Sequence, residues 1–292
     1  MTIKHLVISG GGPSLLQVLG MLQILINEKM LNNVETVYGT SAGAFIAVIF
    51  CLQFEDLNIV KDYLIDRPWH EVFTIQLHQI FELYQTKGIF DKTIIETVVK
   101  PLFLSKDISL QITLQEFYEF SKIDLHIFAF EINSFQTVDF SHSTHPTIPL
   151  IDVIFMSSSL PILMRPTMLN QGCYIDGGVL ENYPLEPSLH AGHNHEEILG
   201  ICNDYSQGGE ADKIIESFTM IDYILFIFFR FLDKIRPKKK EENVKEIRCK
   251  VQKLSFSYYY SFINSTDLRR EYYEKGVELA KEFMEREKVN FI

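Results

Sequence analysis

The sequence predicts an α/β fold with a mainly parallel sheet. Three observations predict it. The first fifty residues read strand, glycine turn, helix, then the same again, an order that favours parallel strands joined by right-handed crossovers. Of 292 residues, 47% are apolar and 13% aromatic. That supports a large core and excludes a disordered or collagen-like chain. A further short apolar run, at residues 198–202, reads as another core strand beyond a more helical middle.

Taken in order, His5-Leu-Val-Ile-Ser9 is short, apolar and partly β-branched, which fits a strand buried on both faces. Gly10-Gly11-Gly12 breaks it. Residues 15–26 are apolar on most faces and long enough for a buried helix. Residues 34–38 form a second β-rich run. Gly39 to Gly43 turns, and residues 44–52 read as another buried helix. Asp91 follows Gly88-Ile-Phe and suits the N-cap of a helix reaching Val99. Residues 125–131 and 137–140 read as two strands around Asn133-Ser134, a hairpin. Residues 151–157 suggest a short helix before Pro161. From Thr219 a very apolar helix precedes Arg236-Pro-Lys-Lys-Lys240, and an amphipathic helix runs from about residue 267 to 287. No internal repeat and no low-complexity linker forces a domain boundary.

Charge and cysteines narrow the classes further. The formal net charge is −11, from 27 basic and 38 acidic residues, so no nucleic-acid partner is expected. Cys51, Cys173, Cys202 and Cys249 stand far apart. They lack the spacing of a metal knuckle or redox pair and read as small hydrophobes in a reducing compartment. Met1 to Ile8 is too short for a signal peptide, and no apolar run reaches the ~18 residues of a membrane span. The expectation is a cytoplasmic protein, with a membrane surface as its one peripheral contact.

The sharpest chemical signal is Gly39-Thr-Ser41-Ala-Gly43. A nucleophilic serine needs its Oγ exposed on a tight strand-to-helix turn, where side chains two residues either side would collide. A chain of this length shows the pattern by chance about one time in ten at average composition. The plain alternative is an ordinary glycine turn with a capping serine. The predicted strand before it and helix after it favour the elbow, and the helix dipole at Ser41 favours a developing negative charge. Gly10–Gly12 offers free amides to an anion. As a phosphate loop it lacks Gly-Lys-Ser/Thr, and as a dinucleotide loop it lacks the third glycine. As an oxyanion hole it would use Gly11 and Gly12, because Pro13 cannot donate. Asp176-Gly-Gly178, alone, is a hairpin turn. Beside a serine elbow it becomes a candidate base. His190, His193 and His195 follow Asp176, so a Ser…Asp…His order is formally available, although Gly192 and Asn194 mark a solvated loop. The other histidines have no metal spacing.

These motifs resemble those of the patatin-like phospholipases. Gly10–Gly12, Gly39–Gly43 and Asp176–Gly178 stand in that family's order. Gly88-Ile-Phe-Asp91, the segment from Ser157-Ser-Ser-Leu-Pro161 to Pro166, and Asp176-Gly-Gly-x-x-x-Asn182-x-Pro184 match the family between and beyond them, over roughly residues 4–205. The resemblance implies a Ser–Asp dyad without histidine. Ser41 would attack an ester carbonyl, Asp176 would take its proton, and the oxyanion loop Gly10, Gly11 and Gly12, with the Ala42 N–H, would hold the charge. One departure stands out: the family places Arg or Lys and then Gly after the triplet, where this chain has Ser14 and Leu15. A neutral acylglycerol or lysolipid thereby gains over a charged head group.

The reading is therefore a three-layer α/β/α sandwich with a mainly parallel central sheet, carrying a lipid acyl hydrolase that needs no cofactor or metal. Residues 1–210 form the catalytic domain. Residues 211–292 form a helical extension that serves as lid or membrane contact. Phe226, Phe229, Lys238, Lys239 and Lys240 are its candidate membrane contacts, aromatics for lipid and cations for anionic head groups. The competing readings are a catalytically inactive lipid-binding protein and a Ser-His-Asp esterase using a histidine from 190–195.

Overall fold

The computed structural model describes residues 2–204, 214, 216, 218–235, 244–251 and 255–289. Its strands are β1 (His5–Ile8), β2 (Thr36–Thr40), β3 (Gly88–Phe90), β4 (Asp124–Glu131), β5 (Gln136–Phe140), β6 (Ile162–Met164), β7 (Thr167–Leu169), β8 (Gly172–Asp176), β9 (Ile198–Asp204) and β10 (Lys245–Lys250). Helices α1 (Leu15–Asn27) and α2 (Ala42–Cys51) follow the two glycine turns. Then come α3 (Leu57–Asp66), α4 (Trp69–Val72), α5 (Leu77–Thr86), α6 (Thr93–Leu104), α7 (Leu114–Ser121), α8 (Leu150–Ser157) and α9 (Leu185–His190). The last three are α10 (Met220–Ile235), α11 (Phe256–Asn264) and α12 (Thr266–Val289).

The main sheet runs β10-β9-β1-β2-β4-β8-β7, with β5 also paired to β4. From β10 to β4 every pairing is parallel. The sheet is covered on both faces, as a parallel sheet must be. Leu6, Ile8, Val37 and Ile127 point to one side, into the main core with α1, α2 and α8. Val7, Tyr38 and Phe128, one residue out of phase, point to the other side and meet Leu185 of α9. This is the α/β/α sandwich that the sequence predicts.

The register around β4 creates the functional geometry. A strand has two edges. Ile127 and Phe128 each pair with β5, and Phe128 also pairs with Thr40 of β2. Ala129 to Glu131 pair with β5 as well, and also with β8. So β5 holds one edge from Ile127 to Glu131, while β2 and β8 share the other. β2 is parallel to β4 and β8 antiparallel, so they run toward each other and their C-terminal ends meet beside Phe128 and Ala129. Ser41 follows the end of β2, and Asp176 is the end of β8.

Described elements beyond residue 210 are built into this body. β10 extends the sheet beside β9. The sequence predicts helix here, but β10 is a strand whose buried residues are only Ile247 and Cys249, with Arg248 between them and Lys245, Glu246 and Lys250 on either side. Edge strands carry such charges to blunt further pairing, which hides the strand signal. α12 lies on α1 backbone to backbone. A Cβ on Gly20 would sit 2.2 Å from the Tyr273 carbonyl oxygen, and one on Gly276 1.9 Å from that of Gln17. Arg269 of α12 is 2% exposed. Its guanidinium donates to the carbonyls of Ile65 at 2.7 Å and of Phe262 and Ile263 at 2.9 Å each. It thereby satisfies orphan carbonyls at the C-terminal ends of α3 and α11. No helix among the described residues is long and apolar enough to cross a membrane.

Candidate active site

Ser41 sits at φ 55° and ψ −124°, a left-handed backbone that a non-glycine residue adopts only under constraint. Two things hold it there. Its N–H donates to Ser157 Oγ at 2.8 Å, and that hydroxyl donates to the Phe128 carbonyl at 2.6 Å. The first turn of α2 also passes over β1 so closely that a Cβ on Gly43 would lie 2.5 Å from the Ile8 carbonyl oxygen. Ser41 Oγ donates to Asp176 Oδ2 at 2.7 Å. Asp176 is 8% exposed, and its Oδ1 accepts from the Gly178 N–H at 2.7 Å. The carboxylate is thus oriented by the chain just after it, and no histidine lies between the two groups.

The glycine loop lies across this pair. Gly12 has φ +54°, a conformation that suits glycine. The Gly10 N–H donates to the Asn182 carbonyl at 2.8 Å, so that amide is not aimed at an oxyanion. The Gly10 carbonyl accepts from Asn203 Nδ2 at 2.8 Å and from Asn182 Nδ2 at 3.1 Å. A trans peptide is planar, with N–H and C=O opposed. Fixing the Gly10 carbonyl toward the asparagines therefore turns the Gly11 N–H the other way. Ser14 is buried, with its Oγ 3.1 Å from Asn203 Nδ2. Asn182, Asn203 and Ser157 hold this geometry, and the sequence reading gave none of them a role of its own. Asn182 was visible only as part of the extended aspartate motif and Ser157 only as the first residue of the Ser157-Ser-Ser-Leu-Pro161 segment, and nothing local marks Asn203.

Ser41, Ala42, Gly11, Gly12 and Asp176 open onto a cavity of about 280 Å³, near the lower end of ordinary ligand pockets. Its walls come from α4, α6, α8, α10, α11 and β6 and include Trp69, Leu163, Met164, Phe228, Leu232 and Tyr259. Asp176 is the one charged side chain among the described residues that line it. Arg165 is turned toward Asp91 at 3.5 Å and Glu82 at 3.9 Å.

The remaining candidates lie elsewhere. Phe229 lines the cavity wall rather than facing solvent. Phe226 is half-buried, against the Phe218 ring and with the Arg230 guanidinium 5.8 Å from its own ring. Lys238, Lys239 and Lys240 lie outside the described residues. His193 is stacked on His5 at 3.5 Å and accepts or donates at 2.9 Å with the Tyr38 hydroxyl. His190 and His195 are exposed. None of these three lines the cavity, so the histidine triad has no assembled partner at Ser41. Among the described residues no group of three or more His, Cys, Asp or Glu is placed to hold a metal ion.

Comparison with known proteins bears on this geometry. The family model for patatin-like phospholipases matches residues 6–189. The chain belongs to that family. A curated relative, probable lipid hydrolase 463L of Invertebrate iridescent virus 6, is 28% identical over 188 residues, covering 64% of this chain and 63% of that protein. A second, uncharacterized protein R571 of Acanthamoeba polyphaga mimivirus, is 27% identical over 186 residues, or 63% of this chain and 60% of that one. The match thus spans less than two thirds of either relative. Among solved structures, VipD of Legionella pneumophila superposes with a TM-score of 0.56 at 18% identity, covering 98% of this chain and 67% of that one. The type III effector protein ExoU gives 0.50 at 12% identity, with 98% and 54% covered. Both share the patatin-like fold, and at these identities the likeness is one of fold.

Proposed function

We propose that this patatin-like protein hydrolyses carboxylic esters of lipids through a Ser41–Asp176 dyad. The observation that supports the reading is the 2.7 Å contact of Ser41 Oγ with Asp176 at the base of an apolar cavity. In the first step Ser41 Oγ bonds to the ester carbonyl carbon while its proton passes to Asp176. The carbonyl oxygen becomes an oxyanion facing the N–H groups of Gly11, Gly12 and Ala42. Collapse breaks the bond to the alcohol, which leaves with the proton from Asp176. Water then attacks the acyl-enzyme with Asp176 as base, releasing the fatty acid and restoring Ser41. The apolar walls fit an acyl chain. Ser14 stands where the family carries a base, and Arg165 is committed to Asp91, which favours a neutral head group over a phosphate.

Labelling of Ser41 by a fluorophosphonate, with hydrolysis of a soluble short-chain ester as the second readout, tests the proposal. Ser41→Ala is expected to abolish both. Asp176→Asn is expected to lower kcat by about 10²–10⁴-fold, the usual worth of a positioned base. Replacing His190, His193 and His195 together is expected to leave most of the activity. An Asp176→Asn protein as active as the parent would overturn the dyad.

A further inference from the structure

Among the described helices, α5 packs least like a core element. Its apolar residues Leu77, Ile80, Phe81 and Tyr84 recur at i, i+3, i+4 and i+7, the spacing that ordinarily turns a helix inward. Here they face solvent, at 69%, 53%, 75% and 92% exposure, and no residue of α5 is buried. At 100° per residue they span an arc of about 100° on one side of the helix. His78, Glu82 and Gln85 occupy the next arc, and Leu83 lies on the inward side, packed with Ile89, Phe90 and Leu163.

That same cluster connects the stripe to the cavity. It contains Phe90, Leu163, Met164 and Phe229, all of which line the cavity, and it also takes in Leu225 of α10. α10 in turn exposes Met220, Tyr223, Ile224 and Phe231. So two helices flanking one wall of the cavity carry apolar residues outward. The α5 stripe bears no charge. Its only carboxylate neighbour on the helix, Glu82, is directed to Arg165 at 3.9 Å. A charge-free stripe on a chain of net charge −11 suits an uncharged or zwitterionic surface and gains nothing from an anionic one.

We infer that α5 is a docking helix that lays Leu77, Ile80, Phe81 and Tyr84 into a zwitterionic lipid surface, delivering esters to the adjoining cavity. The inference rests on the lipid-hydrolase reading, since the cavity's continuity with the stripe is what selects lipid as the occupant. The contact differs from the basic segment 236–240, because it is driven by apolar burial and is therefore insensitive to salt.

Sedimentation of the full chain carrying Ser41→Ala with phosphatidylcholine vesicles, at low and high salt, tests it. Binding is expected at both. Adding Phe81→Asp and Tyr84→Asp is expected to weaken vesicle partitioning at least tenfold. The same pair in the active protein is expected to leave hydrolysis of a soluble short-chain ester within twofold, since neither residue touches the cavity, and to slow hydrolysis of the vesicle-borne ester. Unchanged partitioning of the double variant overturns the inference. So does binding to anionic vesicles alone that salt abolishes, or a dimer, seen by light scattering, that the pair of substitutions breaks without any vesicle binding. If the Ser41→Ala protein docks through α5 but the parent hydrolyses no ester, the docking stands and the hydrolase reading falls.

Discussion

Asn203 holds the glycine loop without lining the cavity. Its amide spans two elements, donating to the Gly10 carbonyl and lying within hydrogen-bond distance of Ser14 Oγ. Gly11 has no side chain because Asn203 occupies that space: a Cβ there would fall 1.8 Å from Asn203 Nδ2. Asn203→Ala frees the Gly10–Gly11 peptide to rotate and is expected to lower kcat about tenfold, with KM little changed. That is less than the 10²–10³ for deleting an oxyanion donor outright, because Asn182 still holds the same carbonyl. Steady-state kinetics on a soluble ester reads this split, and a change confined to KM would refute the role. Ser41 and Asp176 stood out in the sequence as candidates because the backbone itself demands glycine beside them. Asn203 did not, since it acts through a hydrogen bond to a main-chain carbonyl 193 residues away, and Ser157 showed only as part of a motif because its bonds to the Ser41 N–H and the Phe128 carbonyl exist only in the fold.

At the scale of elements, the βα units of the first fifty residues were legible because buried parallel strands and the helices between them are continuous apolar runs. Thr36–Thr40 and Ala42–Cys51 differ from the expected bounds by about two residues, where the elbow strains the joint. α5 and β10 escaped for opposite reasons: α5 carries a core pattern on its outer face, and β10 carries surface charges on a sheet edge. The seam of α1 and α12 escaped as well, although Gly20 and Gly276 each mark it. Gly276→Ala must push α12 off Gln17. It is expected to cost about 1–3 kcal/mol, as overpacking does, read as a lower urea midpoint with an unchanged m-value. Glu278→Ala, on the exposed side of the same helix, is the control and should stay within 0.5 kcal/mol or so. Because α1 starts directly after the glycine loop, the Gly276→Ala protein is also expected to lose ester hydrolysis before it unfolds.

For the whole molecule, pH dependence follows from charges held on the face of the sheet away from the main core. His126 lies between Asp139, with Nδ1 2.8 Å from Oδ2, and Asp124, with Nε2 3.3 Å from Oδ2. Burial works against its charge, but hydrogen bonds to the two carboxylates outweigh it and push its pKa up to about 9. Glu181 moves in the same direction, to about 7, because burial and then Glu186 disfavour its anion. Both folded values lie above the unfolded ones, ordinarily near 6.5 and 4.5. For such groups the unfolded chain loses its proton first as pH rises, so folding stability falls across the interval. The Glu181 contribution is complete below about 4.5 and gone above about 7, and that of His126 is complete below about 6.5 and gone above about 9. His5 bounds the acid side. Burial and its neighbour His193 hold it down to about 4, so stability also falls as pH drops from 6.5 toward that value. The protein is therefore expected to lose no more than about 3 kcal/mol between pH 6.5 and 9 from His126, at ~1.4 kcal/mol per pH unit. Urea midpoints at the two values measure it. His126→Gln removes the larger titrating group, so its stability is expected to be lower at pH 6.5 and to keep only the shallow further loss from Glu181, with a folded pKa of about 7, on the way to pH 9. A variant that kept the parent's slope would assign the alkaline loss to some other group.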